Sequence, residues 1–216
     1  IIFAGFSGGA KIAIDAGCAN AEVDAVVYSG SVILWERLAH NIEFLGIAGK
    51  EDMNYTELVS FHQSKYLKDK PHYLIEWNGK HEWPDANVFE SAFLYPYSTI
   101  PAEKLFVFDA GSEKKFQLEK QLRQGYYDAL QKQTLNWWKS EVQNMQLKAK
   151  DDIMYRRLLG LVSLSCYSFS QKFLSANDLA NAEKIITIYE WVDPGNKDCA
   201  MFKKDLQARK ANQPKG

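Results

Sequence analysis

Short segments that favour β-strands alternate with segments of helical periodicity over the first hundred residues. The strand-like segments are rich in β-branched and aromatic residues, and they cover residues 1–6, 23–28, 44–48 and 72–77. Helical patterns occupy residues 10–18, 55–67 and 86–94. Neighbouring parallel strands need a crossover that usually contains a helix, so this alternation predicts an α/β fold with a parallel sheet.

The pattern changes after residue 100, where the strand-like segments end with a short apolar stretch at 105–108. Two of the six prolines fall just before it, in residues 95–101. Beyond it, helical spacing with few turn residues covers residues 113–147, 151–174, 177–192 and 197–210. We therefore predict two modules, a parallel-sheet α/β module over residues 1–100 and an all-α array of helical hairpins over residues 101–216.

The formal net charge of −1 is the sum of two differently charged halves. Residues 1–100 contain 7 Lys and Arg against 13 Asp and Glu, whereas residues 101–216 contain 19 against 14. The basic excess is spread along helical segments and lacks interleaved aromatic residues that could stack on bases, so we expect a solvated face and no nucleic-acid partner. No apolar run approaches the roughly 20 residues of a membrane-spanning helix, so we expect no membrane span.

The three cysteines, Cys18, Cys166 and Cys199, form no CxxC pair and are odd in number. They therefore indicate neither a zinc site nor a disulfide framework, and we expect no metal or other cofactor. The cysteines also do not determine the cellular compartment. We favour an extracytoplasmic one. The chain opens at Ile1 directly on an apolar run, so we expect any signal peptide or earlier domain to lie before that residue.

The segment Gly5-Phe6-Ser7-Gly8-Gly9 fits the G-x-S-x-G pattern and joins the first predicted strand to the first predicted helix. In such a turn a serine projects its hydroxyl above the sheet, and small residues on both sides let the strand and the helix approach. The backbone N–H of Gly8, at the start of the helix, would point at the oxyanion that forms during acyl transfer. A plain tight turn is the alternative, but the strand before and the helix after it favour Ser7 as a nucleophile.

A serine nucleophile needs a histidine base, and the histidine needs a carboxylate to orient it. His81 follows a predicted strand directly, and Asp52 follows the strand before it, at the carboxyl edge of the sheet where sites of open α/β sheets collect. Glu51 is the alternative acid, because one residue of loop geometry decides which carboxylate faces the histidine. The remaining histidines are expected to be structural or exposed: His40, His62 and His72.

On these residues, the stretch 1–100 resembles the C-terminal half of an α/β hydrolase, and it is most similar to the smaller carboxylesterase and dienelactone-hydrolase-like members. The order Ser7, Asp52, His81 agrees with that family, and the short spacings leave no room for a large lid after the nucleophile. The resemblance implies a metal-independent serine hydrolase that cleaves a carboxylic ester or similar acyl bond of a small molecule. It also implies that the family's earlier strands, and the loop with its second oxyanion-hole N–H, would precede Ile1.

Two tryptophans are candidate substrate contacts in the α/β module. Trp83 lies two residues from His81 and could line an acyl or leaving-group pocket. Trp35 lies in a loop after a strand, and the sequence favours neither a core position nor a pocket position for it. The pair Trp137-Trp138 is expected to seal the helices against each other or against the α/β module.

Residues 177–198 resemble the second half of a tetratricopeptide repeat, since Ala182, Ile186 and Pro194 fall at its small, large apolar and proline positions. The signature glycine and tyrosine of a first helix are not found upstream. We therefore expect helical hairpins rather than a full repeat array. Two alternatives to an esterase stay open: a serine peptidase on the same scaffold, and a binding scaffold whose helical module docks a protein partner while the α/β module is inactive.

Overall fold

The computed structural model describes residues 1–33, 42–94 and 110–212 of the chain. These residues form a mixed α/β protein that is mostly helical, with one four-stranded parallel sheet. The chain divides into two compact units, Ile1–Gln117 and Leu118–Gly216. The boundary predicted from the sequence, at residue 100, falls outside the described residues, as does the apolar stretch at 105–108.

The first unit contains the sheet, and its elements follow in the order β1 (Ile2–Phe6), α1 (Gly8–Ala19), β2 (Ala25–Ser29), β3 (Glu43–Gly49), α2 (Tyr55–His62), β4 (His72–Trp77) and α3 (Ala86–Leu94). Each strand pairs in parallel with the next one along the chain, so the spatial order is β1-β2-β3-β4. Because all four strands run the same way, the loops that follow them meet at one edge of the sheet.

Both faces of the sheet are covered by helices. Every residue of β2 is buried, and in β3 only Glu43 is not. Alternate residues point to opposite sides: Val26 and Tyr28 pack with α1 and α2, whereas Val27 and Leu45 pack with α3. Continuous apolar strands of this kind are typical of parallel sheets covered on two faces, which explains why the strand-like runs in the sequence do not alternate with polar residues.

The second unit is built from helices, and no strand occurs in the described residues after position 94. Its helices are α4 (Ala110–Lys132), which begins in the first unit, α5 (Leu135–Lys148), α6 (Ile153–Ser175), α7 (Leu179–Val192) and α8 (Lys197–Ala211). The Trp138 side chain is fully buried and donates from its indole to the Ala129 carbonyl oxygen at 3.2 Å, whereas Trp137 stays 37% exposed. Trp138 therefore seals this helical core.

The helices of the second unit begin at polar caps. The helical pattern predicted over residues 113–147 is divided into two helices, α4 and α5. Thr134 caps the second of them, because its side chain accepts a hydrogen bond from the Trp137 N–H. Ala182 and Ile186 are buried in the helical core, and Pro194 lies in the exposed turn between α7 and α8. The tetratricopeptide likeness itself stays a prediction. None of the helices within the described ranges combines the length and apolarity that crossing a membrane requires.

Candidate active site

Ser7 occupies a sharp turn between β1 and α1. Its φ of 53° and ψ of −121° place it in a conformation that L residues rarely adopt and that costs about 1–3 kcal/mol. The Ser7 N–H donates to the Ser29 carbonyl oxygen at 2.8 Å, which fixes the turn to the end of the neighbouring strand. The fold therefore holds a strained serine at the carboxyl edge of the sheet, as a nucleophile elbow does.

The turn depends on a close approach of the two backbones at Gly5. A Cβ atom at position 5 would lie 2.2 Å from the Gly9 carbonyl oxygen and 2.7 Å from the Ala10 nitrogen. At Gly8 and Gly9, by contrast, an added Cβ would meet nothing within 4 Å. The sequence predicted that small residues are required on both sides of Ser7. Space is tight only at Gly5, on the strand side.

Gly5→Ala is expected to destabilise the first unit by at least about 2 kcal/mol, because its methyl group would collide with rigid backbone atoms. Gly9→Ala is the matched control: it has open space and lies in a helix, so it should be neutral or stabilising by up to about 1 kcal/mol. Urea denaturation of both variants measures the difference. Equal stability of the two variants would show that the backbones do not approach as described.

Hydrogen bonds link the side chains of Ser7, His81 and Asp52, with His81 in the middle. Ser7 Oγ is 3.0 Å from His81 Nε2, and His81 Nδ1 is 3.0 Å from Asp52 Oδ1 and 3.1 Å from Asp52 Oδ2. Asp52 is 1% exposed, whereas the His81 side chain is 24% exposed. With the proton on Nδ1, the imidazole donates to Asp52 and leaves Nε2 free to accept from the serine hydroxyl.

The loop after β3 places the acid. Asp52 accepts from the Asn54 N–H at 2.8 Å, and its own N–H donates to the Gly49 carbonyl oxygen at 3.0 Å. The N–H of Glu51 donates to the Gly79 carbonyl oxygen at 2.9 Å, which joins this loop to the one that carries His81. Of the two acids that the sequence left open, Asp52 makes the contact with the imidazole.

Gly30, in the loop after β2, was not predicted from the sequence as part of the site, and its lack of a side chain leaves room for the rings of Phe6 and His81. It has a φ of 70°, and a Cβ there would lie 2.6 Å from Phe6 Cε2 and 3.1 Å from His81 Cε1. Asn54 Nδ2 donates to the Gly30 carbonyl oxygen at 2.7 Å, so the loop after β3 holds this loop as well. The position of Gly30 directly after a predicted strand places it at the sheet edge but does not reveal its contacts, and nothing in the sequence marks Asn54.

Gly8 is the first residue of α1 and follows Ser7 directly. The N–H groups of a helix's first turn have no acceptor within the helix, and they lie at the positive end of its dipole. Such a donor beside a nucleophile is suited to bind an oxyanion. The role of Gly8 stays a prediction.

Of the two candidate tryptophans, Trp83 lies near the candidate site. Trp83 is 57% exposed, and its ring centroid lies 5.4 Å from that of Phe6. Phe6 in turn lies 4.8 Å from the His81 ring, so Trp83 stands beside the candidate site. Trp35 lies outside the described residues, as does His40.

His62 and His72 lie near each other, with ring centroids 5.6 Å apart. His62 Nε2 is 2.5 Å from the hydroxyl of the buried Tyr28. Burial lowers the pKa of His62 to about 3, and the nearby His72 adds to the effect. His62 is therefore neutral at physiological pH and has a structural partner.

No cluster of three or more His, Cys, Asp or Glu side chains suited to a metal ion occurs within residues 1–33, 42–94 and 110–212. Comparisons with protein-family models, with curated proteins and with solved structures gave no match. A family assignment consequently depends on the G-x-S-x-G turn, the parallel sheet and the series of three side chains.

Proposed function

We propose that this protein is a serine hydrolase of the α/β-hydrolase type that cleaves a carboxylic ester or similar acyl bond. The observation that carries the proposal is the unbroken series from Ser7 Oγ through His81 to the buried Asp52, with both steps at 3.0 Å. A plain tight turn at Ser7 would explain neither its strained backbone nor a histidine and a carboxylate aligned behind it.

In the proposed reaction, Ser7 Oγ attacks the carbonyl carbon while its proton passes to His81 Nε2. The carbonyl oxygen becomes an oxyanion, which accepts from the Gly8 N–H. The tetrahedral intermediate then breaks its bond to the leaving alcohol, and that oxygen takes the proton from Nε2. Water repeats the sequence on the acyl-enzyme, which releases the acid and restores Ser7.

The surroundings of Asp52 and His81 support the roles proposed for them. Asp52 stays beside Nδ1, so it holds the imidazole in the tautomer that can accept from Ser7 and it stabilises the imidazolium that forms. Its burial excludes water from that contact, which strengthens the interaction. The His81 side chain is 24% exposed, so the imidazole is open to solvent while it contacts Ser7.

Labelling with a small fluorophosphonate tests the proposal, because the reagent reacts with activated serines. We expect mass spectrometry to find one label on the native protein, in the peptide that contains Ser7, and none on Ser7→Ala. Ser91→Ala is the matched control, since Ser91 is an exposed serine of α3 and its loss should leave labelling intact. Absence of labelling on the native protein would favour the binding-scaffold alternative, and cleavage of peptides in preference to esters would favour the peptidase.

A further inference from the structure

An exposed apolar groove runs from Trp83 along α3. It is a shallow depression open to solvent, with a volume of about 580 Å³, and the side chains that line it include Trp83, Phe89, Phe93 and Leu94, with Glu90 as its charged residue. Trp83 is 57% exposed and Leu94 58%. Large apolar side chains of this kind usually pack into a core, so such a cluster at the surface indicates a binding site.

The groove lies close to the candidate site, with one aromatic ring between them. Phe6 immediately precedes Ser7, and its ring lies between that of His81, at 4.8 Å, and that of Trp83, at 5.4 Å. Beyond Trp83 the aromatic contacts continue to Phe89 at 5.9 Å and from Phe89 to Phe93 at 5.1 Å. An apolar group bound in the groove would therefore lie near the histidine, one ring away from it.

The position beside His81 determines which part of an ester the groove can take. The leaving alcohol receives its proton from His81 Nε2, so its oxygen must lie on the histidine side of Ser7. We propose, on the basis of the function proposed above, that the groove binds the alcohol part of the ester. The Glu90 carboxylate disfavours an anionic occupant, so the preferred alcohols are uncharged alkyl or aryl alcohols.

A series of acetate esters tests this assignment, because all of them form the same acetyl-enzyme and differ only in the alcohol. Full burial of one methylene favours binding about fourfold, so partial burial in an open groove predicts about a twofold gain per methylene. From methyl to hexyl acetate we expect kcat/KM to rise about 10- to 30-fold. Methyl esters of longer acids should show a smaller rise. A flat acetate series, or a steeper rise with the acid, would overturn the assignment.

Variants locate the effect in the groove. Trp83→Ala should reduce the ratio of kcat/KM for hexyl acetate to that for methyl acetate by about tenfold, and Trp83→Leu should reduce it less. Ile12→Ala is the control, since Ile12 is a 71% exposed apolar residue of α1 that does not line the groove. An equal change in the ratio for Trp83→Ala and Ile12→Ala would overturn the assignment.

A binding experiment separates this assignment from the proposed function. The Ser7→Ala variant cannot turn over an ester, but it should still bind 1-naphthol, which stands in for an aryl alcohol. We expect Trp83→Ala in the Ser7→Ala background to weaken naphthol binding about tenfold by calorimetry, and an unchanged affinity would overturn the groove assignment. Failure of the native protein to react with a fluorophosphonate would instead count against the proposed function, whatever the naphthol result.

Discussion

Replacing either Ser7 or His81 by alanine is expected to lower kcat on a p-nitrophenyl ester by about 10⁴- to 10⁶-fold. Without the hydroxyl no acyl-enzyme can form, and without the imidazole nothing accepts the hydroxyl proton. The two side chains share one hydrogen bond of 3.0 Å, and in the proposed reaction they act in the same step. The variant that carries both substitutions should therefore be scarcely slower than either single one, whereas independent contributions would multiply.

Steady-state kinetics on protein free of contaminating esterase measures these effects, with circular dichroism to show that each variant is folded. Ser91→Ala again serves as the matched control and should keep its activity. Multiplicative losses in the double variant would show that the two residues do not act as a unit. Full activity of Ser7→Ala would contradict the proposed function outright.

The parallel sheet could be predicted because its two central strands, β2 and β3, are buried on both faces. A segment such as residues 44–48 must be apolar throughout, and the observed strand, Glu43–Gly49, extends it by one residue at each end. The helix expected over residues 55–67 ends earlier, at His62, and the following residues form turns. Leu67 is nevertheless fully buried, so its apolar character reflects packing of a turn and not helical periodicity.

The grouping of Ser7, Asp52 and His81 could be predicted for a topological reason. Each follows a strand, and parallel strands bring the loops after their carboxyl ends to one edge. Gly30 and Asn54 could not be predicted, because they act through a positive φ and through a hydrogen bond between loops 24 residues apart. Such contacts depend on the path of each loop, which has no periodicity in the sequence.

The sequence favoured Asp52 over Glu51 without settling the choice, and this choice yields the second large expected effect. Asp52→Asn should lower kcat by about 10³- to 10⁴-fold, because an amide can donate to the imidazole and so hold it in the wrong tautomer. The side chain keeps its shape, and the Asn54 N–H can still donate to the amide oxygen, so the loss should appear in activity more than in stability. Glu51→Gln is the matched control and should change kcat less than about threefold, since it keeps the size of the side chain and leaves the contact between Asp52 and His81 in place.

Kinetics of both variants on one ester, with urea denaturation of each, completes the test. A large loss of activity in Asp52→Asn at nearly unchanged stability would be expected of an orienting acid. A comparable loss of stability would instead point to a structural role for the buried carboxylate, whose partners include the Asn54 backbone as well as His81. If Glu51 proved essential and Asp52 dispensable, the acid would move by one residue. The loop after β3 would then have to turn a different side chain toward His81, while Ser7 and His81 kept their proposed roles.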